Sequence, residues 1–511
     1  MSQNPEDYKH CNLKKNNDIE DIYGRMDNLV TDSEFTFIKG FLMNNDLSRY
    51  KTFRQMEQEL RKGYNKENCH PLKKSKILYV YDSLVSTGDL NNTEFRNIII
   101  KKPAKSESGV LVITVLTSPY PVVNGKKQRF SCQWNCYYCP NEPGQPRSYL
   151  HDEPSVLRAN QNSFDPIMQF TERAMTLYVN GHPVDKIELL VLGGTWSSYP
   201  MSYREDFIRD LFYAANTLLI RDNKRVPYDL LQEKTINETA KCRIIGVTLE
   251  TRPDCIDNNE LYHFRRVGCT RVQLGIQHTD DRILDMVNRQ CPTVKTKAAI
   301  KLLLDSGFKV DGHFMPQLPG ASFEDDKKMF GTVLNDPYLQ IDQWKIYPCE
   351  TTPWTVIKKW ADEGKYVPYS DAQLIELLLW LKPKVHPWIR LNRVVRDIPS
   401  QYILGGLNNG NLREDIGHQL KKRGLKCPCI RCREIKDTHK NNNLSTELVI
   451  RKYQASGGEE YFISVETLDR DKILGFIRLR LPSNDTVNIF PSLTGSANIR
   501  ELHVYGKLVS S

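Results

Sequence analysis

The 511-residue sequence has no long hydrophobic run. The nearest candidate, residues 374–381, is short and carries Glu376, so it predicts a packed helix instead of a membrane span. The first residues lack the apolar core of a secretory signal, and no lipidation motif follows them. We therefore expect a cytoplasmic protein that makes no contact with a membrane.

The excess of positive over negative charge is also modest, with a formal net charge of +9. Hydrophobic residues at 40% and charged residues at 26% are ordinary for a folded chain of two or three domains. Local basic clusters are present nevertheless. If they converge, they would follow a phosphate backbone, and otherwise they form a solvated face. The candidate nucleic-acid contacts are Lys73, Lys74, Lys76, Lys101, Lys102, Arg393 and Arg396.

Thirteen cysteines are present, and three of them suggest a metal cluster. Cys132, Cys136 and Cys139 have the spacing CxxxCxxC. Three thiolates on one loop can hold three irons of a 4Fe–4S cluster and leave the fourth iron free for S-adenosylmethionine, which indicates radical chemistry. Zinc is the main alternative, but a structural zinc site takes four ligands and no fourth Cys or His lies near. A buried structural trio is the remaining interpretation.

A second cysteine group has the spacing CxCxxC and consists of Cys427, Cys429 and Cys432. Thiols this close together favour a zinc site, with free thiols as the alternative. His418, His439 and water are the candidates for a fourth ligand.

The order of patterns along the chain predicts an α/β protein. Residues 34–90 have helical spacing after a polar start. Strand-like runs then alternate with helical segments, which predicts a parallel sheet curled into a partial or full (β/α) barrel. These runs are residues 109–116, 187–192, 244–249, 271–276, 308–314 and 341–347. After a linker-like segment at 436–446, residues 461–465, 473–480 and 499–505 predict antiparallel strands. We expect three parts: 1–100, 101–435 and 436–511.

Residues at the strand ends supply a second set of candidates, because ligands of parallel barrels meet the loops that follow the strands. Gly193, Gly194 and Thr195 would let the backbone approach a methionyl amine, although a Gly-Gly pair alone usually marks a turn. Glu250 and Arg252 can hold the ribose and carboxylate of S-adenosylmethionine, or form a structural ion pair. Gln277, at the end of the next strand, joins this S-adenosylmethionine set.

Further blocks of sequence resemble the catalytic subunit of Elongator, the radical S-adenosylmethionine tRNA-uridine acetyltransferase family. The resemblance extends from about residue 101 to the end and is specific, since many blocks occur in the same order. The blocks are GHPVDKIE (181–188), YREDFI (203–208), ETRPD (250–254), SGFKV (306–310), RDIP (396–399), GNLRE (410–414), IRCRE (430–434) and RELHVYG (500–506).

The resemblance implies a tRNA-binding N-terminal region, a radical domain with a zinc site, and an acetyltransferase module of the GNAT type. The implied reaction builds a carboxymethyl group on carbon 5 of the wobble uridine of tRNA. A 5′-deoxyadenosyl radical takes hydrogen from the methyl group of acetyl-CoA, the carbon radical adds to uridine, and hydrolysis releases CoA. Lys186 matches a lysine associated with acetyl-CoA and is the candidate catalytic residue. The strand that lines acetyl-CoA is matched by Glu501, Leu502, His503 and Val504.

The family pattern continues past its His-Val-Tyr-Gly strand into a glycine-rich loop and helix that bind the CoA pyrophosphate. Residues 507–511 do not contain that loop, so we expect a truncated GNAT-like module with weak acetyl-CoA binding. A noncatalytic tRNA-binding homologue is therefore the second hypothesis. Acetylation of protein lysines is a third, but it would need the same loop. Besides tRNA, the implied partners are other Elongator-like subunits or a second copy of the chain.

Overall fold

The computed structural model describes residues 22–24, 29–64, 72–90, 93–101, 108–130, 132–221, 224–435, 444–483 and 488–505. In these ranges the chain forms an N-terminal group of helices, a parallel sheet with flanking helices, and an antiparallel sheet. None of the helices there has the length and apolarity that a bilayer crossing requires.

The N-terminal helices pack around a hydrophobic core of their own, which includes Ile38, Met56 and Tyr81. The first helix begins with a capping box, since the Thr31 hydroxyl accepts the Glu34 N–H while the Glu34 carboxylate accepts the Thr31 N–H. The helical pattern predicted for residues 34–90 is thus confirmed. The helices are α1 (Asp32–Asn44), α2 (Phe53–Tyr64), α3 (Lys74–Ser86) and α4 (Thr93–Ile99).

The parallel sheet contains seven strands in chain order, each paired with the next. Its end strands are not paired with each other, so the sheet is an open, partial barrel as predicted. Strand β1 (Leu111–Leu116) precedes a hairpin of β2 (Val122–Val123) and β3 (Lys126–Lys127). The sheet continues with β4 (Lys186–Leu192), β5 (Arg243–Thr251), β6 (Arg271–Gln277), β7 (Lys309–Phe314), β8 (Gln343–Ile346) and β9 (Arg390–Arg393).

Side chains on these strands alternate between two environments. On β4, Ile187, Leu189 and Val191 are buried in the main hydrophobic core, which the flanking helices share. The side chains between them, such as Glu188, point to the concave interior of the sheet, here called the lumen. The helices are α5 (Pro154–Gln161), α6 (Pro166–Val179), α7 (Met201–Asn216), α8 (Leu230–Asn237), α9 (Asn258–Arg266), α10 (Asp281–Met286), α11 (Thr293–Asp305), α12 (Phe323–Asn335), α13 (Val356–Asp362), α14 (Asp371–Leu381), α15 (Leu412–Lys422) and α16 (Ile430–Arg433).

The antiparallel sheet packs against the N-terminal ends of the barrel strands. Arg500 is buried there and binds Asp342, immediately before β8, with two N–H···O contacts of 2.8 Å. The predicted linker is wrong at its end, because Thr446 already begins a strand, and residues 436–443 lie outside the described ranges. The strands, in sheet order, are β10 (Thr446–Ala455), β11 (Gly458–Thr467), β12 (Ile473–Leu481) and β13 (Asn498–Val504).

Candidate functional site

The loop with Cys132, Cys136 and Cys139 lies at the C-terminal edge of the barrel strands. Backbone contacts hold it there: the Tyr137 N–H donates to the Val287 carbonyl, and the Val356 N–H donates to the Tyr137 carbonyl, both at 3.0 Å. Cys136 is buried, whereas the other two thiols are half-buried. The loop therefore presents its sulfurs inward, toward the strand ends.

The three sulfurs of the cysteine loop are not gathered as closely as a single tetrahedral ion requires. Over the described ranges, the one group of three Cys, His or carboxylate ligand atoms that lie within 4.8 Å of one another is the Cys427 group. A tetrahedral zinc ion, with Zn–S bonds of about 2.3 Å, needs sulfurs about 4 Å apart. A 4Fe–4S cluster binds each thiolate on a different iron and so tolerates a wider separation.

Three arginines surround these sulfurs. Arg252 Nη1 lies 3.5 Å and Arg289 Nη1 lies 3.8 Å from Cys136 Sγ, and Arg147 Nε lies 3.4 Å from Cys139 Sγ. Burial raises the pKa of the Cys136 thiol, but the charges of Arg289 and Arg252 outweigh it, so this pKa lies below its ordinary value. Sequence reasoning missed Arg147 and Arg289, because only the folded chain brings them to the loop.

The predicted glycine site directly adjoins the cysteine loop. Gly193 and Gly194 adopt φ angles of +133° and +101°, a region that favours glycine. A Cβ atom on Gly193 would lie 1.9 Å from Thr117 Oγ1, so no side chain fits there. Thr195 Oγ1 lies 3.6 Å from Cys132 Sγ. The bare backbone at the end of β4 is therefore within reach of a ligand bound to the cluster loop.

The other predicted S-adenosylmethionine contacts differ in how far they are already paired. The half-buried Glu250 accepts a 2.7 Å hydrogen bond from the Tyr149 hydroxyl, and removal from water raises the pKa of its carboxyl group. Arg252 is committed elsewhere, because its Nε and Nη2 donate to Asp254 at 2.8 and 2.7 Å. Arg252 thus forms a structural ion pair, but its partner is Asp254 and not Glu250, the partner that the sequence suggested.

Below the cysteine loop the lumen is lined by polar groups, of which the sequence analysis named only Gln277. Lys345 Nζ donates to Gln273 Oε1 at 2.8 Å and lies 3.8 Å from Asp311 Oδ2, and burial lowers the pKa of its ammonium group. Polar residues at every second position of otherwise apolar strands were the available signal. Within the described ranges, the buried atoms without a hydrogen-bond partner here are Gln277 Oε1, Asp311 Oδ1, His313 Nε2 and both carboxylate oxygens of Glu350.

The second cysteine group is compact. The sulfurs of Cys427, Cys429 and Cys432 lie within 4.8 Å of one another, and no fourth His, Cys, Asp or Glu of the described ranges joins them. His418 is exposed on α15, and His439 lies outside the described residues. Cys432 is exposed, so a bound ion would have its fourth position toward solvent.

The predicted acetyl-CoA residues lie at the N-terminal edge of the barrel strands, opposite the cysteine loop. Lys186 is the first residue of β4 and pairs with Asp185 at 3.1 Å. On β13 the side chains alternate: Glu501 is held by Arg478 at 2.9 Å, and His503 packs against Phe476. Leu502 and Val504 point outward and are 67% and 70% exposed.

The residues predicted to contact nucleic acid differ in exposure, and several are already paired within the chain. Lys74 donates to the Ile98 carbonyl at 3.1 Å, and Lys76 pairs with Glu34 at 2.5 Å. Arg396 binds Glu153 at 2.6 Å. Exposed side chains are those of Lys73, Lys101 and Arg393, of which Arg393 pairs with Asp397, while Lys102 lies outside the described residues.

Comparison with known proteins defines the class. Residues 130–332 match the family model of the Radical SAM superfamily, and residues 341–422 match that of the Radical_SAM C-terminal domain. The first range contains the cysteine loop and strands β4–β7, and the second contains β8 and β9. The partial barrel and its cysteine loop are thus those of a radical S-adenosylmethionine protein, a class that implies a 4Fe–4S cluster and S-adenosylmethionine.

Relatives over most of the chain define the family more closely. The tRNA uridine(34) acetyltransferase of Dehalococcoides mccartyi is 37% identical over 416 residues, 80% of this chain and 86% of that protein. Elongator complex protein 3 of Homo sapiens is 34% identical over 429 residues, 81% and 76% of the two chains. The solved structure of archaeal Methanocaldococcus infernus Elp3 with an N-terminal deletion has a TM-score of 0.64 at 34% identity, over 78% of this chain and 84% of that chain. The chain belongs to this Elongator protein 3 family.

Proposed function

We propose that this chain modifies the wobble uridine of tRNA at carbon 5, forming a carboxymethyl group from acetyl-CoA. The observation that carries the proposal is the arrangement of the cysteine loop beside the bare backbone of Gly193 and Gly194, in a chain of this family. Relatives named as tRNA uridine(34) acetyltransferases support the choice of substrate.

The bound cluster and S-adenosylmethionine would supply a 5′-deoxyadenosyl radical. Cys132, Cys136 and Cys139 would hold the cluster, and the carbonyls of Gly193 and Gly194 would accept the methionyl amine. The Gly193 carbonyl would do so beside the Tyr199 hydroxyl, from which it already accepts at 3.2 Å. Glu250 and Gln277 would contact the nucleoside part, because Gln277 Oε1 is buried without a partner and only Oε2 of Glu250 accepts the Tyr149 hydroxyl. The chain's own contribution is to position the reactants and to exclude water from the lumen.

We further propose zinc at Cys427, Cys429 and Cys432, and tRNA contact through Lys73, Lys101 and Arg393. The compact sulfurs support the zinc, and the exposure of the three basic side chains supports the tRNA surface. Lys186 and β13 would face the acetyl donor in a GNAT-like module. Other Elongator-like subunits or a second copy would complete the assembly.

Nucleoside analysis of tRNA tests the function. The chain is expressed in a host that lacks its own enzyme, together with Cys136→Ala and, as a matched control, Cys242→Ala, which removes a buried thiol just before β5. Wild type and Cys242→Ala should yield 5-carboxymethyluridine derivatives, and Cys136→Ala none. Equal product from Cys136→Ala would refute the proposal.

A noncatalytic tRNA-binding role is the second candidate, and one observation favours it. Two of the proposed acetyl-CoA contacts are already paired, Lys186 with Asp185 and Glu501 with Arg478. Calorimetry with acetyl-CoA in the presence of tRNA separates the two roles. Saturable acetyl-CoA binding that Lys186→Ala weakens supports catalysis, whereas tRNA binding without acetyl-CoA binding supports the second role.

A further inference from the structure

The three arginines around the cysteine loop have no role in the reaction proposed above. They come from three separate places: Arg147 follows the loop, Arg252 follows β5, and Arg289 follows α10. Arg252 and Arg289 are 2% and 5% exposed. Asp254 already pairs with Arg252, but no carboxylate of the described residues pairs with Arg289. The buried charge of Arg289 is therefore costly unless a negative charge is bound beside Cys136.

Existing contacts fix the guanidinium groups in orientations that leave an N–H for sulfur. Arg252 uses Nε and Nη2 for Asp254, donates again from Nη2 to the Arg289 carbonyl at 2.7 Å, and directs Nη1 to Cys136. Its plane also lies over the Trp134 ring, 4.1 Å from the centroid. Arg289 is held by the Gly275 carbonyl and also directs Nη1 to Cys136.

Arg147 makes the corresponding contact on the other side of the loop. Its Nη2 donates to Asn135 Oδ1 at 2.7 Å, and this leaves Nε directed at Cys139 Sγ, 3.4 Å away. Two of the three cluster sulfurs therefore face an arginine N–H, while Cys132 faces the neutral Thr195 hydroxyl. The donors are distributed unevenly around the loop.

We propose that Arg147, Arg252 and Arg289 are positioning residues for the cluster, which donate N–H groups to its cysteine sulfurs and raise its reduction potential. The inference rests on the cluster assigned under the proposed function. Reduction adds one electron to the cluster, and both a nearby positive charge and N–H···S bonds stabilise the more negative state. The three guanidinium groups thus make the cluster easier to reduce.

A potentiometric titration of the reconstituted cluster tests this inference without any turnover. Iron and sulfide are loaded under argon, sodium dithionite supplies the electron, and the signal of the reduced cluster is followed by electron paramagnetic resonance without S-adenosylmethionine. In Arg147→Gln the ratio of reduced to oxidised cluster at the wild-type midpoint should fall about tenfold, which corresponds to a midpoint lower by about 59 mV for one electron. Arg289→Gln should shift the midpoint in the same direction.

Two further variants separate the causes. Arg147→Lys keeps the charge but loses the directed Nε–H, so its shift should be smaller than that of Arg147→Gln. Arg423→Gln is the matched control. It removes a guanidinium at the end of α15, which pairs there with Glu376. Its midpoint should equal that of wild type.

The outcomes are distinguishable from failure of the proposed function. Midpoints of Arg147→Gln and Arg289→Gln that equal the wild-type value, at equal iron and sulfide content, would overturn the inference. If Arg289→Gln does not fold, the half-buried Arg147 still decides it. A wild-type chain that takes up no iron and sulfide overturns both proposals. If the wild-type chain holds a cluster but does not modify tRNA, the proposed function fails, and the measured midpoints alone decide the inference.

Discussion

At the scale of the residue, short spacings in the sequence were more informative than single side chains. The CxxxCxxC spacing predicted a metal-binding loop because its three thiols lie within eight consecutive residues. The role of Arg252 could not be predicted from the sequence. Whether it binds S-adenosylmethionine or pairs with Asp254 depends on where Cys136 and Arg289 lie in the fold. Arg147 and Arg289 have no local pattern at all. Long-range neighbours therefore limit what a sequence predicts about a site.

Gly193 provides a test at this scale. In Gly193→Ala the new Cβ meets Thr117 Oγ1 at 1.9 Å and the φ of +133° is strained, so we expect a loss of about 1–3 kcal/mol in unfolding free energy. A cost of about 1.4 kcal/mol at the binding step would weaken S-adenosylmethionine binding about tenfold. Calorimetry with the loaded protein measures the affinity.

Gly125→Ala is the control for backbone strain. Gly125 has a φ of +72° in the β2–β3 hairpin, but a Cβ there meets nothing within 4 Å. We expect a loss of about 1 kcal/mol and unchanged S-adenosylmethionine affinity. The account of this site is contradicted if both alanine variants bind S-adenosylmethionine as wild type does.

At the scale of the element, apolar runs predicted the strands, and polar strands were missed. Residues 390–393 form β9 although the sequence there is Arg-Leu-Asn-Arg, because Asn392 bonds Gln343 in the lumen. Strand β10 was missed because its alternation of polar and apolar residues begins inside a polar stretch. Six of the seven barrel strands follow buried apolar patterns and were predicted.

The contact between the antiparallel sheet and the barrel depends on buried ion pairs, and Arg500 tests it. Arg500 bonds Asp342 and Glu460, and all three side chains are 1% exposed. Arg500→Met leaves Asp342 with Arg478 alone, at 3.5 Å, and Glu460 with Arg480 alone, at 3.1 Å. The loss of the shared cation should cost about 3 kcal/mol in urea unfolding. Arg470→Met, which breaks an exposed pair with Glu447, should cost at most about 1 kcal/mol. Equal losses would show that the buried pairs do not hold the sheet.

Acid should weaken the same contact. Burial raises the pKa of Asp342, but Arg500 and Arg478 outweigh it, so this pKa lies below its ordinary value. A lowered carboxyl pKa stabilises the fold above the unfolded value of about 4, and this stabilisation is lost as pH falls through the folded pKa. Urea midpoints should stay level from about pH 7 to 5 and fall below about pH 4. Asp342→Asn should lower the neutral midpoint and flatten the acid fall, and an unchanged acid fall would contradict this cause.

At the scale of the whole molecule, the fold places the two sets of predicted site residues at opposite ends of the barrel. The cysteine loop lies at the C-terminal edge of the barrel strands, whereas Lys186 and the antiparallel sheet lie at the N-terminal edge. The polar lumen with Lys345 and Asp311 lies between these edges. The order of the three parts along the chain could be predicted from the sequence. Only the structure shows at which end of the barrel each set of residues lies.

The two cysteine groups should bind different metals independently. Cys432→Ala should lose zinc and keep iron, because its sulfur belongs to the compact group. Cys136→Ala should lose iron and keep zinc. Elemental analysis of both variants against wild type measures this, and zinc that survives in Cys432→Ala at the wild-type amount would contradict the assignment.

The central claim is that Cys132, Cys136 and Cys139 hold an iron–sulfur cluster with one open iron. Mössbauer spectroscopy of iron-57 protein prepared without oxygen, recorded before and after S-adenosylmethionine is added, tests it most directly. The account predicts equal amounts of iron and sulfide and a change at one iron when S-adenosylmethionine binds, with both features absent from Cys136→Ala. Zinc at this loop, with neither iron nor sulfide, would contradict the account.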